Sequence, residues 1–259
     1  MDAISDIMAV VYDVAGIKLG ESKRSMVEAR LGKRLRQLGC DLKAYAARLH
    51  RDDDEVIRCL DLMTTNHTAW KREPVHFDDL ARRVLPEIQG RRLRIWCAAA
   101  ATGEEPWTIA LTVHQAIPDL AQWDAAILAT DISTRALDVA RKGRYSEERI
   151  ASLNAIERSV AVEKAEDAER TWVVTPELRR LLTFARLNLM NEWPMRGPFD
   201  VIFCRNVMIY FDQPTQERLV NRLARLLSPG GTLYVGHSVS LSAITHPLRS
   251  VGAATYVRN

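Results

Sequence analysis

Four cysteines in 259 residues (Cys40, Cys59, Cys97 and Cys204) stand far apart, with no Cys-x-x-Cys pair. That spacing excludes a disulfide framework and a cysteine zinc centre, and reads as the reduced thiols of a cytosolic protein. Long apolar runs are also missing. The longest, Ile95 to Ala101, is far short of the ~18 residues that signal a membrane span. Residues 1 to 17 lack a basic start, so no secretory leader is expected. Glycine (12) and proline (10) are too few for collagen or low-complexity disorder. Neither sign of charge dominates: 36 basic against 33 acidic residues leave +3, too mild to demand a nucleic-acid partner. The six histidines (His50, His67, His76, His114, His237 and His246) show no ligand spacing, and no metal is expected.

What is present is enough apolar sequence, 47%, to bury a core without staples. The first quarter reads as helices. Ile4, Ile7, Met8 and Val11 form one stripe, ended by Gly16. Val27, Leu31, Leu35 and Leu38 form a second, closed by Gly39-Cys40-Asp41, and Leu42, Tyr45, Ala46 and Leu49 a third. Asp52 to Glu55 place acids in the first turn of a fourth, with Val56, Ile57 and Leu60 on its apolar face. Short connections imply antiparallel packing. The second helix is basic, carrying Lys23, Arg24, Arg30, Lys33, Arg34 and Arg36 against Glu21 and Glu28. This is either a solvated outer face or a docking surface for an acidic partner.

From about residue 76 strands alternate with helices, which implies a mainly parallel, doubly wound α/β sheet. Strands are expected at Leu93–Ala98, Ala125–Ala129, Phe199–Cys204, Thr232–Val235 and Ala254–Val257. The polar segment 144–180, with its β-branched patch Thr171-Trp172-Val173-Val174, breaks the rhythm and reads as a small inserted subdomain. The domains expected are 1–75 and 76–259.

Open parallel sheets bind ligands beyond the carboxyl ends of their strands. After the first strand comes Ala98-Ala99-Ala100-Ala101-Thr102-Gly103-Glu104-Glu105-Pro106. It matches neither the dinucleotide fingerprint nor a P-loop. Its small residues admit a ligand close to the backbone, and its two acids suit a cationic group better than a pyrophosphate. The alternative is an ordinary tight turn. After the second strand, Asp131 can accept both hydroxyls of a ribose, or serve the next helix beside Ser133. The third strand exits into Arg205-Asn206, which is costly without partners. No Asp/Asn-Pro-Pro-Tyr/Phe follows, which disfavours an amino-methylase of bases.

Together these stretches resemble one family, the chemotaxis receptor methyltransferases (CheR). The resemblance runs through Ala15-Gly16-Ile17, Thr64-Thr65-Asn66-His67-Thr68 with Arg72-Glu73, Thr102 to Pro106, Ala129-Thr130-Asp131-Ile132 and Asn188-Leu189. It continues through the run Gly197 to Phe211, Leu227 to Gly231, and Gly236-His237-Ser238. It implies a class I S-adenosylmethionine (SAM) methyltransferase fold with an added N-terminal all-α domain. It also implies methyl transfer from SAM to glutamate side chains on the acidic cytoplasmic helical bundle of a chemoreceptor. On the family's pattern Asn66, Thr68, Arg72, Glu104 or Glu105, Asp131, Asn188, Leu189, Asn206 and Val207 would hold the cofactor. Arg72 and Tyr210 would lie nearest the methyl, and the basic second helix would meet the receptor. Arg72 could equally bind the cofactor's carboxylate or brace its loop. The expected protein is a cytoplasmic monomer, at receptor arrays, that neither inserts into the membrane nor binds nucleic acid. The chain departs from the family at Trp70-Lys71 (two aromatics are usual), Trp107 (tyrosine) and Val239 (often acidic). The 144–180 segment would be the family's β-subdomain. The absence of glycine before Trp172 leans towards a member that does not use a receptor's C-terminal pentapeptide.

Glutamate carboxylates are ionised at neutral pH and need no general base, so the lack of a nucleophile–histidine pair fits this chemistry. Two other readings compete: a binding module that senses SAM without transfer, and a nucleic-acid methyltransferase suggested only by a pI of 8.7.

Overall fold

A computed structural model of the chain describes residues 2–166 and 170–259. Four helices open it: α1 (Ala3–Ala15), α2 (Arg24–Leu38), α3 (Leu42–Leu49) and α4 (Asp53–Met63). Aspartates start three of them. Asp2, Asp41 and Asp52 each accept a backbone N–H of the first turn. Gly16 and Gly39 end α1 and α2 in the left-handed conformation.

The basic face of α2 divides in two. Arg34 turns inward, with Nε 2.8 Å and Nη2 2.5 Å from the carboxylate of Glu55. Glu55 is fully buried and also accepts from Tyr45 Oη at 3.0 Å. The guanidinium holds the Glu55 carboxyl below its usual range despite burial. Arg30 donates to the carbonyls of Leu62, Met63 and Thr64, the exposed end of α4, and to Thr65 Oγ1. Arg24 binds Asp2 and Ser5 Oγ. Three of the six cations expected to dock a partner are therefore occupied within the domain. Only Lys23, Lys33 and Arg36 are exposed. Sequence spacing could not separate the two sets because the inward arginines pair with acids 22 and 21 residues away.

A helical stretch follows: α5 (Val75–Asp79), a π-helical turn (Leu80–Val84) and α6 (Leu85–Glu87). The α/β alternation then begins with β1 (Arg92–Cys97), α7 (Glu104–Ala116), β2 (Asp124–Asp131) and α8 (Thr134–Lys142). An inserted unit contains β3 (Arg144–Ser146), α9 (Ala155–Ala161), β4 (Val162–Lys164), β5 (Thr171–Val174) and α10 (Pro176–Arg179). The chain returns through β6 (Leu182–Arg186), β7 (Phe199–Cys204), α11 (Gln213–Leu226), β8 (Leu227–Val235), β9 (Leu248–Gly252) and β10 (Thr255–Arg258).

The main sheet has the order β6-β2-β1-β7-β8-β10-β9. Strands β6 to β8 run parallel, and β10 and β9 add antiparallel pairs. This is the doubly wound sheet that the alternation implied. Side chains of β1 alternate: Trp96 joins the core beneath the N-terminal helices and α11, while Leu93, Ile95 and Cys97 join the core under α5 and α7. The helical domain thus shares one continuous core with one face of the sheet. The inserted strands form their own antiparallel sheet, β3-β5-β4. The expectation drawn from the stretch before Trp172 falls partly on residues 167–169, outside the described residues. Strands β6 and β9 were not anticipated. Both lie on or next to a sheet edge and are only partly covered, so neither carries an all-apolar run.

Candidate active site

The strand order reverses between β1 and β7, and a cleft of about 850 Å³, including solvent at its mouth, opens at their carboxyl ends. Its floor is small: Ala98, Ala99 and Ala101 bring backbone to the surface. The turn into α7 needs Gly103, whose φ is +99° and where a Cβ would sit 2.8 Å from Ala140.

Asp131 ends β2 at the wall of the cleft. Its carboxylate accepts from Ala101 N and Ser133 N, both at 2.8 Å. Burial raises its pKa, while these backbone donors oppose the rise. The side chain organises two loops while lining the cleft. Ser133, not Asp131, caps α8.

Of the two acids after Gly103, only Glu105 lines the cleft. Glu104 turns away, bonded to Thr102 Oγ1 and paired with Arg149 of the inserted unit. Glu105 accepts from Cys97 Sγ, and burial pushes its pKa up.

The exit of β7 carries the densest chemistry. Arg205 is fully buried, its Nη2 3.2 Å from Glu73 Oε2 and its Nη1 3.1 Å from Glu105 Oε2. Nη2 also donates to the carbonyl of Arg72. Its Nε and Nη1 have no well-aligned hydrogen bond among the described residues. Burial alone would raise the Glu73 carboxyl, but the Asn206 amide and Arg205 guanidinium hold it below its usual range. Asn206 takes a left-handed φ of 54°, and its backbone fits against Gly236, where any Cβ would lie 2.7 Å from Asn206 N.

Asn66, Thr68, Arg72, Glu105, Asp131, Asn188, Leu189, Asn206, Val207 and Tyr210 all line this cleft, from five separate stretches of chain. Ala15, Ile17, Met63 and Leu187 line it too, as does Arg205. The sequence reading did not assign these five to the cofactor, although the Arg205-Asn206 exit and Ala15-Gly16-Ile17 were signals at hand. Asn188 donates to Val14 O at 2.6 Å, stapling the end of α1 to the cleft.

The fold also gathers side chains that their spacing kept apart. Ligand atoms of Glu73, His76 and His237 lie within 4.8 Å of one another. Both Glu73 oxygens are already engaged, by Asn206, Arg205 and the His237 N–H, so a cation there would face a buried guanidinium. Burial and that same guanidinium lower the His76 pKa to about 4.

Family models match nearly the whole chain: "CheR methyltransferase, all-alpha domain" over residues 2–64 and "CheR methyltransferase, SAM binding domain" over 66–257. The chain belongs to the CheR methyltransferase family. Among its relatives are a probable chemotaxis protein methyltransferase of Rhizobium etli, 42% identical across 95% of this chain and 96% of that one. Chemotaxis protein methyltransferase 2 of Pseudomonas aeruginosa is 44% identical across 95% and 89%. A SAM-dependent methyltransferase structure from Mesorhizobium loti aligns with a TM-score of 0.34 and 21% identity, over 60% of this chain and 50% of that one.

As in the family, the cofactor is SAM. The cleft fits it on chemical grounds. Two buried acids, Glu105 and Asp131, line the cleft, which suits a ligand carrying a cationic end and hydroxyl donors. The alanine floor leaves the backbone open to the ligand.

Proposed function

We propose that this methyltransferase acts in chemotaxis, esterifying glutamate side chains on the acidic helical bundle of a chemoreceptor. One arrangement carries the reading: Arg72 and Tyr210 both line the cleft that offers Asp131 and Glu105 to the cofactor. Asp131 would hold the ribose and Glu105 the amino group. Asn66, Thr68, Asn188, Leu189, Asn206 and Val207 would frame the remainder.

Bound SAM supplies a methyl carbon on a positively charged sulfur, which departs as a neutral thioether. The substrate carboxylate is already an anion, so no side chain must remove a proton. A new oxygen–carbon bond forms as the carbon–sulfur bond breaks. The protein's task is alignment and exclusion of water, which can lower a barrier by up to about 7–11 kcal/mol. Arg72 offers the substrate carboxylate a planar two-point grip and offsets its desolvation. Its Nη1 donates to His67 O at 3.0 Å, which holds the side chain against its own loop.

The exposed cations Lys33 and Arg36 of α2, with Lys23 just before it, would meet the receptor's acidic surface. Incubation with labelled SAM and receptor cytoplasmic fragments should release labelled methanol in alkali. The double variant Lys33→Glu/Arg36→Glu should raise the receptor KM about tenfold at low salt and leave SAM affinity unchanged. Label recovered only in RNA, or SAM binding without transfer to any receptor fragment, would sink the reading.

A further inference from the structure

Arg72 sits between two non-glycine residues in left-handed backbone, Lys71 at φ 56° and Glu73 at φ 55°. Such backbone persists only where the surroundings over-determine it. On the Glu73 side the hold comes from the sheet, through Arg205, Asn206 and the His237 N–H. On the Lys71 side it comes largely from the inserted unit. Lys71 Nζ lies 2.5 Å from Glu157 Oε1, in the first turn of α9. Ser152 Oγ donates to Trp70 O at 3.1 Å, and the Trp70 ring meets Tyr145 edge-on at 5.7 Å. A bond from Lys71 N to Thr108 Oγ1 in α7 completes the set.

We propose that Lys71 and Glu157 are positioning residues for methyl transfer: the inserted subdomain clamps the loop that presents Arg72, and the ion pair is the clamp. The inference rests on the reading of Arg72 given above. The pair is suited to this role because both ends are already restrained. Glu157 is 12% exposed at the side chain and its other oxygen accepts from Asn154 N, so it presents a fixed acceptor. Lys71 is one peptide from the residue it must place. Release of the pair frees one flank of Arg72 while Asp131, Glu105 and the rest of the cleft stay untouched. Turnover should therefore suffer and cofactor affinity should not.

The test compares Lys71→Met, Glu157→Gln, their double variant, Lys71→Arg and Asn154→Ala in the full chain. Three quantities are measured: kcat and KM with a receptor fragment, SAM affinity by calorimetry, and amide exchange of a peptide spanning residues 66–75. Each of the first two variants should lower kcat about tenfold, with SAM affinity and receptor KM within twofold and faster exchange at 70–73. The double variant should be no worse than the poorer single variant, and Lys71→Arg should keep most of the rate. Asn154→Ala removes another bond of the same helix start and should leave kcat unchanged. The clamp is overturned if kcat is unaffected, if the two single losses multiply, or if Asn154→Ala loses as much as Glu157→Gln. A wild type that methylates no receptor fragment defeats the functional reading instead. In that case exchange alone decides, and unaltered protection at 70–73 defeats the clamp.

Discussion

Arg34 and Arg205 are both drawn to buried glutamates, with opposite outcomes. In the helical domain Arg34 meets Glu55 through two well-formed bonds, and Tyr45 takes up a further acceptor position. Behind the cleft Arg205 is shared among Glu73, Glu105 and a backbone carbonyl, and two of its nitrogens remain without aligned partners. The first arrangement is closed and could be exchanged for apolar packing with little loss. The second is open on the side of the cleft, and its demands bear on the loop that holds Arg72. Unfinished satisfaction of a buried charge is thus the better marker of chemistry than burial itself.

The sharpest way to break this contrast is to alter each pair alone. Arg205→Lys keeps the charge but cannot reach Glu73, Glu105 and the Arg72 carbonyl together. Methyl transfer should fall about 1,000-fold, near 4 kcal/mol, in protein whose circular dichroism is still native. Glu55→Gln should show the reverse. Unfolding in urea should report a loss of about 3 kcal/mol, while kcat per folded molecule stays within twofold. If Glu55→Gln abolished transfer with its stability intact, the distinction between the two pairs would fail.

A third, smaller effect concerns His76, which is buried beside the Arg205 cluster with its pKa depressed to about 4. The unfolded chain binds the proton more tightly, with a reference near 6.5. Stability from this group is therefore complete above about pH 6.5 and declines as pH falls towards 4. The expected loss between pH 7 and 5 is about 2 kcal/mol. Urea titrations of the wild type against His76→Gln should show it, since the variant lacks the titrating ring. Parallel curves for the two would place the proton uptake elsewhere.

Much of this was legible without coordinates. The four N-terminal helices and strands β1, β2 and β7 announced themselves because their apolar periods are dictated by two-sided or stripe burial. The cleft followed from the same logic, since residues after strand ends are where a parallel sheet opens. Asp131 could be found from its position alone. The direction of Glu104 could not, because it is decided by Arg149, 45 residues later, in a unit with its own small sheet. The division of α2 failed for a similar reason: a basic helix reads the same whether its cations face water or a carboxylate folded beneath it. Local pattern reports which face is apolar. It is silent on long-range pairing between charges.

Arg30 carries a consequence of its own. It belongs to the helix whose outer cations face away from the domain, yet its guanidinium grips the last carbonyls of α4 and the hydroxyl of Thr65, at the lip of the cleft. A partner that displaced that helix would pull on Met63 to Thr65 at this rim. Any change this made in cofactor affinity would be matched, by thermodynamic reciprocity, by an equal effect of the cofactor on the partner.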